Sequence, residues 1–171
     1  MRFYKGCLRL VLGTVLLLGA VNPVRANDRG PSTSEERARV LELAKASELD
    51  LMGGLSDQDR AWFLKFVQEV PDLTFNPGPV GAWCLKSVKM KQVPPTLFQF
   101  MVGAVAFQIQ NPAKAQDQEA VDLAALEGVL RAYQNLLKNS PEARSAELDK
   151  AVVRRDSGTL ATFAKELRTK R

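Results

Sequence analysis

The sequence predicts an all-α, single-domain bundle or globule of six to seven helices, and three observations lead to that class. The first is Thr96–Asn111, TLFQFMVGAVAFQIQN, which carries no charge and has ten Leu, Phe, Met, Val, Ala or Ile side chains among sixteen. A helix apolar on all sides belongs inside, covered by others. The second is the spacing of Leu123, Leu126, Leu130, Tyr133 and Leu137, at intervals of 3, 4, 3 and 4, which draws a seam along a helix. The third is punctuation: Ser, Thr or Asp opens most segments and Gly or Pro closes them, with no convincing pair of strands. These features predict helices packed around a buried one at about 96–110.

Residues 1–26 read as a cleaved secretory signal. Arg2, Lys5 and Arg9 form a basic start, Leu10 to Val21 is a largely apolar run, and Val24-Arg25-Ala26 places small residues at −3 and −1 of a cleavage site. Cys7 precedes the apolar run and cannot serve as a lipid-anchored cysteine. An uncleaved anchor is the competing reading, for which the run is short. The expected location is the bacterial periplasm or the exterior.

Of the 24 basic residues, four lie in that signal and no acidic ones do, leaving 20 basic against 19 acidic, a net of +1. The isoelectric point near 9.4 is therefore largely a property of the signal. Nucleic acid loses its main support as a partner, since a binding domain carries a basic excess. The length after cleavage suits one domain, with residues 27–31 as a disordered leader and 32–171 as the helical body.

Ser32-Thr33-Ser34-Glu35-Glu36 opens the first helix, with acids at the positive end of the dipole. It is expected to reach about Met52, burying Val40, Leu43, Ala44 and Leu51, and to stop at Gly53-Gly54. Ser56 caps the second, where Trp62, Phe63, Phe66, Val67 and Val70 make a broad stripe before Pro71. Asn76-Pro77-Gly78-Pro79 is a turn. Residues 80–93 fit either a short helix burying Val80, Cys84 and Val88 or a strand burying Val88 and Met90; the helix is favoured. Pro94-Pro95 then separates this segment from the buried one.

For residues 96–111 the alternation in VAFQIQ offers a strand reading. Thr96-x-x-Gln99, with capping-box spacing, and the stop at Asn111-Pro112 argue for a helix instead. Gly103, Ala104 and Ala106 are small enough to let a neighbouring helix approach. The uncharged run is shorter than the ~20 residues that span a bilayer and holds three glutamines, so no transmembrane helix is expected after signal cleavage. The leucine seam then implies a helix over about 117–138. Ser140-Pro141 opens another, with Ala143, Leu148, Ala151 and Val152 facing inward. Asp156 or Ser157 starts the last, with Leu160, Phe163, Ala164 and Leu167 inside.

Chemistry is bounded mainly by what is missing. The chain has no histidine, which removes Ser-His-Asp and Cys-His nucleophile pairs and histidine-ligated zinc. One cysteine, Cys84, remains after cleavage, so cysteine-cluster metal sites and internal disulfides are excluded too. No phosphate-binding loop or dinucleotide fingerprint occurs, and no cofactor is expected. Cys84 reads as a buried small hydrophobe, against an intermolecular disulfide or a reactive thiol. The pairs Asp57 with Asp59 and Glu119 with Asp122 are the carboxylates that a cell-envelope hydrolase would need; their positions near helix starts read instead as solvated, dipole-complementing acids.

Charge distribution says more. Leu73 to Gln116 holds no acidic residue but has Lys86, Lys89, Lys91 and Lys114, whereas Asp28 to Asp72 has a net charge of −4. The bland account is that these charges face one another or disperse over one fold. The functional account groups Phe75, Trp83, Lys86, Lys89 and Lys91 as a binding site for an acidic protein or an anionic lipid headgroup, with Pro77 on its rim. The leading reading is an exported, non-catalytic protein that binds another protein as adaptor, inhibitor, immunity factor or chaperone. A helical carrier for a lipid or other small apolar molecule, using the lining of 96–111, is the second, and a carboxylate-based envelope enzyme the third.

Overall fold

A computed structural model describes residues 29–169; the expected signal at 1–26 lies outside the described residues. The described residues form seven α-helices and no strand: α1 (Ser34–Leu49), α2 (Asp57–Glu69), α3 (Gly78–Lys86), α4 (Val93–Gln110), α5 (Gln118–Asn139), α6 (Ala146–Asp156) and α7 (Leu160–Thr169). Three short 3₁₀ turns, Met90–Gln92, Pro112–Lys114 and Pro141–Ala143, sit in the connections. None of these helices is long and apolar enough to cross a membrane.

The first two helices open on the caps their sequence offers. Thr33 and Glu36 form a reciprocal capping box on α1, and Ser56 and Asp59 another on α2. The hydrogen bonds from Thr33 and Ser56 hold the Glu36 and Asp59 carboxyls below the usual carboxylate range. Helix α1 ends three residues earlier than the glycines suggest, because the Asp50 carboxylate accepts from the Met52 and Gly53 amides, at 3.1 and 2.9 Å, and turns the chain. Gly54 is needed there for space: a Cβ would lie 2.3 Å from the Ala46 carbonyl oxygen. Of the expected leader, Arg29 is held by ion pairs to Glu36 and Glu69 and lies 5.4 Å over the Phe66 ring. Ser32 and Arg37 converge on Asp72 at 2.7–2.9 Å. Burial opposes the charge on Asp72, but these bonds outweigh it and hold its carboxyl low.

Helix α4 is the wall shared by two apolar clusters. Phe98, Met101, Val102, Val105 and Ala106 pack with α1 and α2 on one side, against Val40, Phe63 and Phe66. Phe100 and Ala104 pack on the other with α3, α5, α6 and α7, against Val80, Leu126 and Leu130. The expected central role of this segment is what the fold shows. Its start differs: α4 begins at Val93 and takes Pro94-Pro95 into its first turn, where a missing N–H costs nothing. Thr96 is consequently interior, fully buried with no hydrogen bond to its hydroxyl among the described residues, and forms no capping box with Gln99. The single helix favoured for residues 80–93 is divided: α3 ends at Lys86, Met90–Gln92 is a 3₁₀ turn and Val93 already belongs to α4.

Helix α5 is capped by Asp117 and buries Val121, Ala125, Val129 and Ala132 besides the inner part of the leucine seam. It is broader-faced than that seam because neighbours cover it from several directions. Ser140 makes no side-chain cap; Pro141–Ala143 is a separate turn, and Ser145 caps α6. The Tyr133 hydroxyl fixes that start, accepting from the Ser145 amide at 2.9 Å and donating to Asp149 at 2.8 Å. Asp156 ends α6 instead of opening α7. Gly158, at φ +74°, makes the left-handed turn between them, a conformation open to glycine without a Cβ penalty.

Candidate functional site

The five residues singled out by sequence divide into two kinds. Phe75 is half-buried and meets Phe100 edge-on, ring centres 6.3 Å apart. Trp83 is half-buried against Phe163, edge-on at 5.1 Å. Both aromatics therefore pack on the core. Lys86, Lys89 and Lys91 are exposed. Lys86 ends α3, where its charge complements the helix dipole. Lys89 precedes the Met90–Gln92 turn and Lys91 lies within it, and both reach Glu142, Lys89 at its backbone carbonyl and Lys91 at its carboxylate, 4.0 Å away.

Between those lysines Met90 is 85% exposed, the most open large apolar side chain among the described residues. Its turn is built from within and from outside. Gln92, buried, returns its amide oxygen to the Lys89 amide at 3.2 Å, and Ser145 donates to the Ser87 carbonyl just before the turn. A methionine is thus presented on a braced support between two exposed lysines, Lys89 and Lys91. The other open apolar residues, Leu49, Met52, Leu64 and Val153, lie on other elements.

A second place bears on the reading that set a small molecule against residues 96–111. Between α1, α4 and α5 runs a half-open cleft of about 340 Å³. Its floor is the small, polar face of α4 and α5: Gln99, Gly103 and Gly128. Leu41, Ala44, Ala106 and Phe107 give apolar walls, and Lys45, Glu48, Glu127 and Arg131 stand at the mouth. Arg131 bridges the mouth, 2.8 Å from Glu48 and 3.9 Å from Glu127. Asn135 donates to the Glu48 carbonyl at 2.9 Å, tying the end of α1 to α5. The apolar face of α4 is consumed by the two clusters, so the space left beside this helix is partly polar. The signal that marks it in the sequence is the set of polar and small residues interrupting the apolar run, Gln99 and Gly103.

The members of the paired carboxylates differ in setting. Asp59 is engaged as a cap with Ser56 and with Arg39 at 3.2 Å. Asp122 is not solvated, contrary to the expectation for a helix-start acid: it is 2% exposed, accepts from Gln118 at 2.6 Å and lies 3.6 Å from Arg168. The packing of α7 across the start of α5 explains the difference. Burial raises its carboxyl above the usual range, offset in part by Gln118 and Arg168. Cys84 is fully buried, and burial pushes its thiol well above the ordinary range, so it behaves as a core residue.

No family model, curated protein or solved structure matches this chain to a significant degree.

Proposed function

We propose that this chain is an exported, non-catalytic binding protein that recognises an acidic protein partner through the Lys86–Lys91 turn. The observation that carries the reading is Met90, 85% exposed between Lys89 and Lys91 on a turn braced from both sides. Methionine is unbranched and polarizable, which lets one side chain fit an irregular apolar socket. The lysines around it favour a socket rimmed by carboxylates and speed the encounter electrostatically. Glu142 engages two of them but leaves the turn with a net positive charge. Presentation on a connection held by rigid helices is the usual architecture of recognition. Export is supported by the basic start, apolar run and small residues of 1–26.

The test is site-specific photo-crosslinking in the producing cell, with the photoreactive residue at position 90 and, as control, at exposed Leu64 on α2. The expected outcome is one discrete protein adduct at position 90 that weakens when Lys86, Lys89 and Lys91 are changed together to Gln. No adduct, or the same adducts from both positions, would refute the proposal.

A further inference from the structure

We infer that the cleft between α1, α4 and α5 is a binding site for a small neutral or zwitterionic amide, about the size of a capped amino acid or dipeptide. The inference rests on a different surface from the Met90 turn and stands or falls separately.

Its core is the Gln99 side chain. Gln99 is 1% exposed, and its amide oxygen is buried with no hydrogen-bond partner among the described residues. Its amide nitrogen makes no hydrogen bond among the described residues either, and lies 3.1 Å from where a Cβ on Gly128 would stand. The contrast with the other buried glutamine of α4 is instructive. Gln108 spends both ends on Thr74, donating to its carbonyl at 2.7 Å and accepting from its amide at 3.2 Å. A buried carboxamide left unpaired is costly in a protein interior, and the Gln99 side chain is part of the cleft lining.

Gly103 supplies an independent observation. Glycine weakens the interior of a helix relative to alanine, and here alanine would fit. A Cβ at 103 would lie 3.6 Å from the Ala125 Cα, an ordinary van der Waals contact. What the missing side chain provides is depth, since Gly103 and Gly128 both line the cleft beside Gln99.

The ligand class follows from the lining. A carboxamide offers one acceptor and an adjacent donor pair, which is matched by a group with the same pattern, a primary or secondary amide. The walls from Leu41, Ala44, Ala106 and Phe107 suit a compact aliphatic body. Lys45 and Arg131 balance Glu48 and Glu127 at the mouth, so the rim has no net charge to attract a polyanion. The volume, about 340 Å³, is roughly twice the ~150 Å³ that takes one benzene ring, room for about a dozen non-hydrogen atoms.

The experiment is an NMR titration of the ¹⁵N-labelled full chain with N-acetyl-leucinamide. The control ligand is the same molecule methylated on its amide nitrogens so that no N–H remains. The expected result is saturable shifts centred on the Gln99 side-chain amide and the Gly103 and Gly128 backbone amides. The methylated ligand should bind at least about tenfold more weakly, as expected when a buried acceptor loses its donor. Gln99→Leu should weaken binding by a similar factor, and Gly103→Leu should abolish it by filling the floor. Should either variant fail to fold, Gly103→Ala, which fits the space, should bind several-fold more weakly while melting at a higher temperature. Absence of saturable shifts up to the solubility limit, meaning that Gln99 is served by water alone, would overturn the inference. So would equal binding of the methylated ligand, or binding undiminished in the folded variants.

Discussion

Replacing Phe100 by alanine tests whether α4 is the wall on which the half of the core facing α3 and α5 depends. Phe100 is 1% exposed, meets Phe75 edge-on and lies against Gly81, where a Cβ would approach its ring to 3.2 Å. Its neighbours include Val80, Leu126 and Leu130 and the α3 backbone at Gly81, which can close the space only if α3 shifts toward α4. Removing a buried phenyl ring in such a setting costs about 3–5 kcal/mol, the sum of lost transfer energy and a residual cavity. At roughly 3 °C per kcal/mol for a domain of this size, the midpoint of thermal unfolding should fall by about 9–15 °C. Urea unfolding followed by far-ultraviolet circular dichroism is the assay. The midpoint should move while the slope is unchanged, showing a stability loss without a change in the surface exposed. A loss below about 1 kcal/mol, the centre of the range for arbitrary substitutions, would refute the placement of this ring at the heart of the fold.

Changing Lys86, Lys89 and Lys91 together to Gln should alter stability by no more than about 0.5 kcal/mol per site. The contacts it removes are exposed ones to Glu142, and surface pairs contribute little. Denaturation of the triple variant checks this, and a multi-kilocalorie loss would mean that these side chains hold the turn in place. Asp122 predicts a pH effect of definite sign. Its folded-state carboxyl is raised by burial, so the folded chain holds that proton more tightly than the unfolded chain, and stability drains away as pH rises from the ordinary carboxylate range through the folded value. Gln118 and Glu119 on its own helix, with Arg168 on α7 and the Cys84 thiol on α3, are the groups around it. Asp122→Asn removes the titration, so the stability of the variant relative to the parent should increase between pH 3.5 and 7. A difference independent of pH, or one that decreases, would contradict the assignment. Asp72, with its carboxyl held low, acts in the opposite sense in both proteins and cancels in the comparison.

The helical architecture was legible because its signals are local. Thr33 with Glu36 and Ser56 with Asp59 sit three residues apart and cap whatever helix follows, and the leucine spacing of α5 survives in any packing. The misplaced boundaries share a cause: a local pattern can be overridden by long-range packing. Thr96-x-x-Gln99 has the spacing of a capping box, yet proline is tolerated in a first turn, so α4 starts earlier and both residues are carried inside. Ser140-Pro141 looks like a helix start, but the Tyr133 hydroxyl holds the Ser145 amide and sets the start of α6 there. The buried state of Asp122 depends on Arg168, 46 residues later, and the mouth of the cleft on a pair 83 residues apart, Glu48 and Arg131. The position and polar character of the cleft were illegible for a further reason. It is defined by side chains that Gly103 and Gly128 lack, on helices whose contact no sequence window contains. The lysines were legible as charges along one stretch, but that Met90 stands open beside Lys89 and Lys91 while Phe75 and Trp83 pack on the core was decided by packing.

The most direct test of the proposed function is native mass spectrometry of the chain purified gently from the cell that makes it, at two ionic strengths. The account predicts an added mass of protein size that diminishes at the higher salt, because the lysine contribution is screened, and that is lost in the triple Gln variant. A bare chain at both salts, or a complex of equal strength in the triple variant, would contradict it.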